Sequence, residues 1–180
     1  ESLSDKTILI IGLGAIGLTT ATIAESELMS RAGVRGVLWT KQPASANNLW
    51  RAIELTRRDP TFMFVIDDPA VARSVEDAAA SARVKPRVLV AVHAGMERQG
   101  IKNGEPAIEL ARRIDSSKQM SLEGFMAYSG GAAHTKGWEA RRQKSATDLA
   151  GLQETLALAR KSGLSTKIVT GGSTGTYNID

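Results

Sequence analysis

Thr61-Phe62-Met63-Phe64-Val65-Ile66-Asp67-Asp68-Pro69-Ala70-Val71 decides how this chain folds. The apolar run Thr61–Ile66 has no polar face to turn toward water, so it reads as a strand buried on both sides. Asp68 then serves as a helix N-cap, and Pro69 takes the first helical position, where its missing N–H costs nothing. Val71, Val75, Ala78 and Ala82 recur on one face of the helix that follows. The next apolar run, Arg87–His93, starts a few residues after that helix ends. A strand, a helix and a second strand at this spacing mean parallel strands joined by a crossover helix.

The same alternation extends in both directions. Further candidate strands are Thr7–Ile11, Ile16–Thr20, Gly36–Thr40, Ser121–Ala127 and Thr166–Thr170. Pro106 opens another helix in its first turn, with Ile108, Ala111 and Ile114 on one side. A longer pattern carries Leu149, Leu152, Leu156 and Ala159 in register and stops at Gly163, a natural glycine just past a helix end. Two architectures use such alternation, an open doubly wound sheet and a closed (β/α)8 barrel. About seven strands fit, so a barrel would lack at least one. No linker, repeat or low-complexity segment divides residues 1–180, which read as a single partial domain.

Composition narrows the function classes. Of 180 residues, 42% are hydrophobic and 23% charged, as in an ordinary globular protein. No apolar run is long enough to span a bilayer and no secretory leader is visible, which points to a cytoplasmic protein with no membrane partner. The absence of cysteine excludes disulfides, thiolate metal sites and a thiol nucleophile. The net charge of +4 suits a small anionic ligand. The pairs Arg57–Arg58, Arg112–Arg113 and Arg141–Arg142 fall in helical patterns and read as solvated faces. Aromatics at 4% leave few stacking platforms, so no nucleic acid is expected as a partner.

Two glycine-rich signals compete for a phosphate. Gly12-Leu13-Gly14-Ala15-Ile16-Gly17 follows Ile8-Leu9-Ile10-Ile11 and matches a dinucleotide-binding turn, which would make the chain an NAD(P)-binding oxidoreductase. Its sequel, Leu18-Thr19-Thr20-Ala21-Thr22, favours strand over helix. The strand Val37-Leu38-Trp39-Thr40 ends in Lys41, where a ribose-gripping acid would stand. The second signal, Gly171-Gly172-Ser173-Thr174-Gly175-Thr176-Tyr177, follows Ile168-Val169-Thr170. Three glycines let backbone amides converge, and Ser173, Thr174 and Thr176 add hydroxyls, the composition of a phosphate cradle. Barrels build such a site late in their strand series.

Several stretches together resemble one family. Val88-Leu89-Val90-Ala91-Val92-His93-Ala94-Gly95-Met96-Glu97-Arg98-Gln99-Gly100 resembles a strand and loop of the fold-type III pyridoxal-phosphate (PLP) enzymes. Leu122-Glu123-Gly124-Phe125-Met126-Ala127-Tyr128-Ser129-Gly130 is similar to their following strand. The stretch Ile168–Tyr177 is similar to the phosphate loop of D-threonine aldolases and D-serine dehydratases. Upstream, Gly14–Thr22 and Ile23–Leu28 resemble the family's second strand and helix, so the likeness runs from about Gly14 to Asp180. It implies an α/β fold, an incomplete (β/α)8 TIM-type barrel of about seven parallel strands. It also implies a PLP-dependent lyase acting on a small D-amino acid. Gly171, Gly172, Ser173, Thr174, Gly175 and Thr176 would hold the cofactor phosphate, Arg98 would contact the pyridine ring, and Tyr128 would face the cofactor at the barrel mouth.

The chain also departs from the family. The Schiff-base lysine belongs at the end of the first barrel strand, but Lys6-Thr7 precedes an apolar strand and stands at its wrong end. Lys41 lies at the C-terminal end of its strand, a position where the family does not place its lysine. The catalytic lysine is therefore unassigned. The family also carries a divalent metal in a second domain, and its ligands are absent from this sequence. His93 stands where an acid is usual, and Gly130-Gly131 replaces a glycine–histidine pair. These departures read as an incomplete homologue with open sheet edges, prone to associate with another chain or to form homo-oligomers. A non-catalytic module that binds PLP or another phosphate is the alternative.

Overall fold

The computed structural model describes residues 18–179. Six strands run through it: Thr19–Thr20 (β1), Leu38–Trp39 (β2), Met63–Ile66 (β3), Arg87–Ala91 (β4), Ser121–Tyr128 (β5) and Ile168–Gly172 (β6). Between them lie Ile23–Arg31 (α1), Ala46–Arg58 (α2), Pro69–Ala82 (α3) and Glu105–Ser116 (α4). A short helix, Gly130–Ala133 (α5), and a long one, Trp138–Lys161 (α6), connect β5 to β6. Every adjacent pair of strands is parallel, and the order across the sheet is the order along the chain. A doubly wound sheet reverses its strand order at a switch point, whereas a barrel keeps adding strands in one direction. This sheet does the latter and curls into a half-barrel, an incomplete barrel of the TIM type.

Six of the expected strands are therefore present. Thr7–Ile11 and the first residues of Ile16–Thr20 lie outside the described residues; Gly36–Thr40, Thr61–Ile66 and Arg87–His93 are trimmed at their ends, Ser121–Ala127 extends to Tyr128, and the strand expected at Thr166–Thr170 runs instead over Ile168–Gly172. After Gly17 the chain enters β1, and helix begins only at Ile23, where Thr22 and Glu25 form a capping box. A dinucleotide turn feeds straight into a helix, so this sequel disfavours that reading. The Gly12–Gly17 turn itself lies outside the described residues.

Alternate residues of each strand separate into two cores, as the pleat requires. Phe64, Ile66, Val88 and Val90 pack against the helices, joined by Val75 of α3, Ile108 and Ile114 of α4, and Leu152 and Leu156 of α6. Met63, Val65, Leu89 and Ala91 face the hollow of the half-barrel, with Leu38 and Met126. The parity changes once. Between Val88 and Leu89 the register of β4 against β5 slips by one residue, so that Leu122 pairs with Val88 and Gly124 with Leu89. Leu122 and Phe125, three residues apart, consequently share the helix-facing core. Met126 then faces the hollow, and Tyr128, two residues on, takes the same side at the barrel mouth.

The extra residue at the slip is Glu123. Arg87 grips its carboxylate with two hydrogen bonds, Nε to Oε1 at 2.9 Å and Nη2 to Oε2 at 3.0 Å. Hydrogen bonding from Arg87, aided by its charge and by Ser121, holds the Glu123 carboxyl below its usual pKa despite burial. Gly124 follows with φ +148°, and a Cβ there would lie 1.9 Å from the Ile168 carbonyl oxygen. Only glycine lets β6 approach at this point.

Asp68 caps α3 through its side chain with Pro69 behind it, as the sequence predicts. The buried stripe of that helix is a correction. Ala72, Val75 and Ala79 are buried, while Val71, Ala78 and Ala82 are only half-buried. The small alanines let the helix lie close to the sheet and turn the expected stripe by one residue. Helix α4 buries Ile108, Ala111 and Ile114 as predicted. Beyond α6, Gly163 has φ +70°, and the Leu164 amide returns to the Ala159 carbonyl. The arginine pairs sit on helices and meet acids or carbonyls: Arg57 with Glu54, Arg113 with Glu76, Arg142 with Glu139, and Arg141 with the Thr135 and Gly175 carbonyls.

Candidate ligand cleft at the strand ends

Parallel strands all present their C-terminal ends at one rim, and loops that leave this rim can converge. A cleft of about 330 Å³ opens there. β1 contributes Thr19 and Thr20, and the residues after β2 contribute Thr40 and Lys41. The β4–α4 loop brings Arg98 and Gln99. Its other wall is the end of β5 (Met126, Ala127, Tyr128) beside the end of β6 (Thr170, Gly171, Gly172). Two cations line the cleft, and no Asp or Glu does so among the described residues.

Of the residues singled out in the sequence, Arg98, Tyr128, Gly171 and Gly172 are brought together in this cleft. The guanidinium carbon of Arg98 stands 5.1 Å from the Tyr128 ring centroid, a cation–π arrangement. Gly172 has φ +69°, so bare backbone forms that part of the wall. Ser173, Gly175 and Thr176 belong to the next turn and are not among the described residues that line the cleft. Within it the Ser173 and Thr176 hydroxyls are 3.0 Å apart, and the Ser173 amide donates to Thr176 Oγ1 at 2.9 Å. These two hydroxyls, expected to face a phosphate, are buried and shape the turn. Gly175 packs on α5, where a Cβ would come within 2.9 Å of the Ala133 backbone.

The loop carrying Arg98 is pinned at its base. Val92 and Ile101 form an isolated parallel bridge, and the Gly100 amide donates to Asp67 Oδ2 at 2.6 Å. His93, at the position where an acid was expected, has a buried Nε2 that makes no hydrogen bond; Glu97 Oε1 is 3.4 Å away. Gly95, with φ +75°, lies against Asp148, whose Oδ1 would be 2.4 Å from a Cβ at that position.

Asp148 is a residue that the sequence reading missed. Its carboxylate, 8% exposed, accepts from Ser129 Oγ at 2.7 Å and pairs with Lys144 one helical turn away. Ser129 directly follows Tyr128, so Asp148 ties the end of β5 to α6. The only sequence signal was the i, i+4 pair of Lys144 and Asp148, which reads equally well as a solvated helix face. Among the described residues, no group of three or more His, Asp or Glu could hold a metal ion. No described helix is long and apolar enough to cross a membrane.

Comparison with known proteins agrees with this fold. A 3-hydroxy-D-aspartate aldolase of Paracoccus denitrificans (strain Pd 1222) is 25% identical over 167 residues, 93% of this chain and 43% of that protein. The crystal structure of D-threonine aldolase from Filomicrobium marinum superposes with a TM-score of 0.87 at 26% identity, covering 93% of this chain and 45% of that one. The fold also matches D-threo-3-hydroxyaspartate dehydratase from Delftia sp. HT23, with a TM-score of 0.80 at 24% identity over 92% of this chain and 44% of that one. The chain thus spans less than half the length of each of these proteins. The family described as alanine racemase, N-terminal domain, matches residues 8–179, nearly the whole sequence, and the chain belongs to that family.

Proposed function

We propose that the cleft holds pyridoxal 5′-phosphate and that the chain carries the cofactor side of a PLP-dependent lyase acting on D-amino acids, of the D-threonine aldolase or D-serine dehydratase type. The observation that carries this reading is the composition of the cleft. Arg98 and Lys41 meet the bare backbone of Gly171 and Gly172, with a tyrosine ring alongside and no described carboxylate on the wall. A small anionic ligand with a flat ring fits that donor set. The similarity to the D-threonine aldolase and 3-hydroxy-D-aspartate aldolase supports the same chemistry.

In this reading the phosphate lies against the bare backbone of Gly171 and Gly172, where the turn begins, since the Ser173 amide and the Ser173 and Thr176 hydroxyls are engaged within the turn. Arg98 neutralises negative charge at the rim, and Tyr128 holds the guanidinium in place. Met126, which faces the hollow, gives the cleft an apolar floor beside the ring. Bound PLP supplies the electron sink that weakens bonds at the substrate's α-carbon. Among the described residues no group of three or more His, Asp or Glu could hold the divalent metal that the resemblance implies.

Equilibrium dialysis tests the reading. The chain should bind PLP, and Arg98→Ala should weaken binding about tenfold, the effect of losing one charged contact of about 1.5 kcal/mol. Equal affinity in the two proteins would contradict it. Release of an aldehyde from D-threonine or 3-hydroxy-D-aspartate, or of a 2-oxo acid and ammonia from D-serine, would separate a lyase from a module that only binds PLP.

A further inference from the structure

Each described strand but one brings residues to the cleft, from its own end or from the loop that leaves it. The exception among the described residues is β3, whose last residue is followed by Asp67. We propose that Asp67 is a positioning residue, which holds the β4–α4 loop so that Arg98 reaches the bound anion; the inference rests on the PLP reading of the cleft.

Residues 93–100 form an excursion that closes on itself. The His93 amide donates to the Ile101 carbonyl at 2.9 Å, and the Ile101 amide donates to the Ala91 carbonyl at 2.9 Å. Gly100, at the closure, has φ +102°, and a Cβ there would come within 2.5 Å of the His93 nitrogen. Arg98 is exposed within this excursion, and its long side chain has many rotamers to choose from. The Tyr128 ring steadies the guanidinium but does not fix the backbone from which the side chain starts.

Asp67 fixes that backbone. Its Oδ2 accepts from the Gly100 amide at 2.6 Å, two residues from Arg98 and next to Gln99, which also lines the cleft. A carboxylate is a stronger acceptor for an amide than a neutral group is. Asp67 is itself braced: its amide donates to Gln42 Oε1 at 3.3 Å, and Gln42 directly follows Lys41. The end of β3 thus ties together the two segments that bring cations to the cleft, without entering it.

Charge alone gives the opposite expectation. Asp67 and Arg98 share the wall of a neighbouring hollow of about 320 Å³ with Asp68, His93 and Glu97. A carboxylate beside an anion-binding cleft repels the ligand, so its removal would tighten binding if charge were its only influence. Loss of positioning weakens binding instead. The two effects differ in sign.

The probe is pyridoxine 5′-phosphate, which has no aldehyde to react with lysines, dialysed against the full chain. Asp67→Ala should weaken its binding about threefold to tenfold, and no more than Arg98→Ala does. Asp67→Asn keeps an oxygen for the Gly100 amide and should bind within about twofold of the wild type. In an Arg98→Ala background, Asp67→Ala should add no further loss, because the contact it positions is gone. Asp68→Ala removes the neighbouring cap of α3 and should lower the thermal midpoint with affinity unchanged. Should Asp67→Ala not fold, Asp67→Ser, whose hydroxyl stops one bond short of the amide, carries the same expectation. Unchanged or tighter binding on loss of the carboxylate, or losses that add in the double variant, would overturn the assignment while the wild type still bound. Failure of the wild-type chain to bind pyridoxine 5′-phosphate would remove the cofactor reading itself, and the role of Asp67 with it.

Discussion

The guanidinium of Arg98 lies over the ring of Tyr128, 5.1 Å from guanidinium carbon to ring centroid. The two residues leave adjacent parallel strands, β4 and β5, from the same rim. Tyr128 reaches that position because the slip at Glu123 turns the second half of β5 around. A ring 37% exposed and an exposed cation gain order from each other. Such a contact contributes about 0.5–1 kcal/mol at an exposed site.

Tyr128→Phe should therefore keep PLP affinity near that of the wild type. Tyr128→Leu should lower it about twofold to fivefold, since it removes the face that holds Arg98. Dialysis against PLP distinguishes the two. Equal losses in both variants would assign the effect to the phenol hydroxyl.

Glu123→Gln should destabilise the chain by about 2 kcal/mol, because Arg87 loses a charged partner in a poorly solvated place. For a chain of this size, that corresponds to a fall in Tm of about 4–8 °C. The Glu123 carboxyl is held below its usual value chiefly by hydrogen bonding from Arg87, so its contribution is present above an unfolded pKa of about 4.3 and lost as pH falls through the lower folded value. Thermal melts should show a gap between variant and wild type at pH 7 that narrows below about pH 4. A gap independent of pH would exclude the ion pair as its source.

Gly124→Ala places a methyl group 1.9 Å from the Ile168 carbonyl oxygen, at a backbone angle that side chains rarely adopt. It should cost more than about 3 kcal/mol, through separation of β6 from β5. Amide exchange in Ile168–Gly172 would report the separation directly. Protection as strong as in the wild type would show that the strands accommodate the methyl.

Asp148→Asn should weaken the tie between α6 and Ser129 and cost about 1–3 kcal/mol, since Lys144 is exposed enough to be solvated alone. Because Ser129 adjoins Tyr128, PLP affinity should fall as well. A lower Tm with unchanged affinity would confine Asp148 to stability.

Much of this architecture could be read from particular residues. The run Thr61–Ile66 and the cap at Asp68-Pro69 identified a buried strand and the start of its crossover helix, because both are local effects. Arg98, Tyr128 and the Gly171–Gly172 pair were legible as strand-end residues of one rim. The tilt of α3 onto Ala72 and Ala79 was not, since apolar character alone ranks valine above alanine, while close approach to a sheet favours the smaller side chain. The slip at Glu123 depends on register against β4, which no local pattern encodes. Ser173 and Thr176 carry the composition of a phosphate cradle, and only the folded turn shows their hydroxyls directed at each other. Asp148 resembled a surface charge until Ser129 and Gly95 were seen beside it.

The most direct test of the central claim is a crystal structure of the full chain grown with pyridoxine 5′-phosphate. The account predicts ligand density at the C-terminal rim, with the phosphate against the turn that begins at Gly171 and the ring beside Arg98 and Tyr128. Density at another surface with this cleft empty would contradict it.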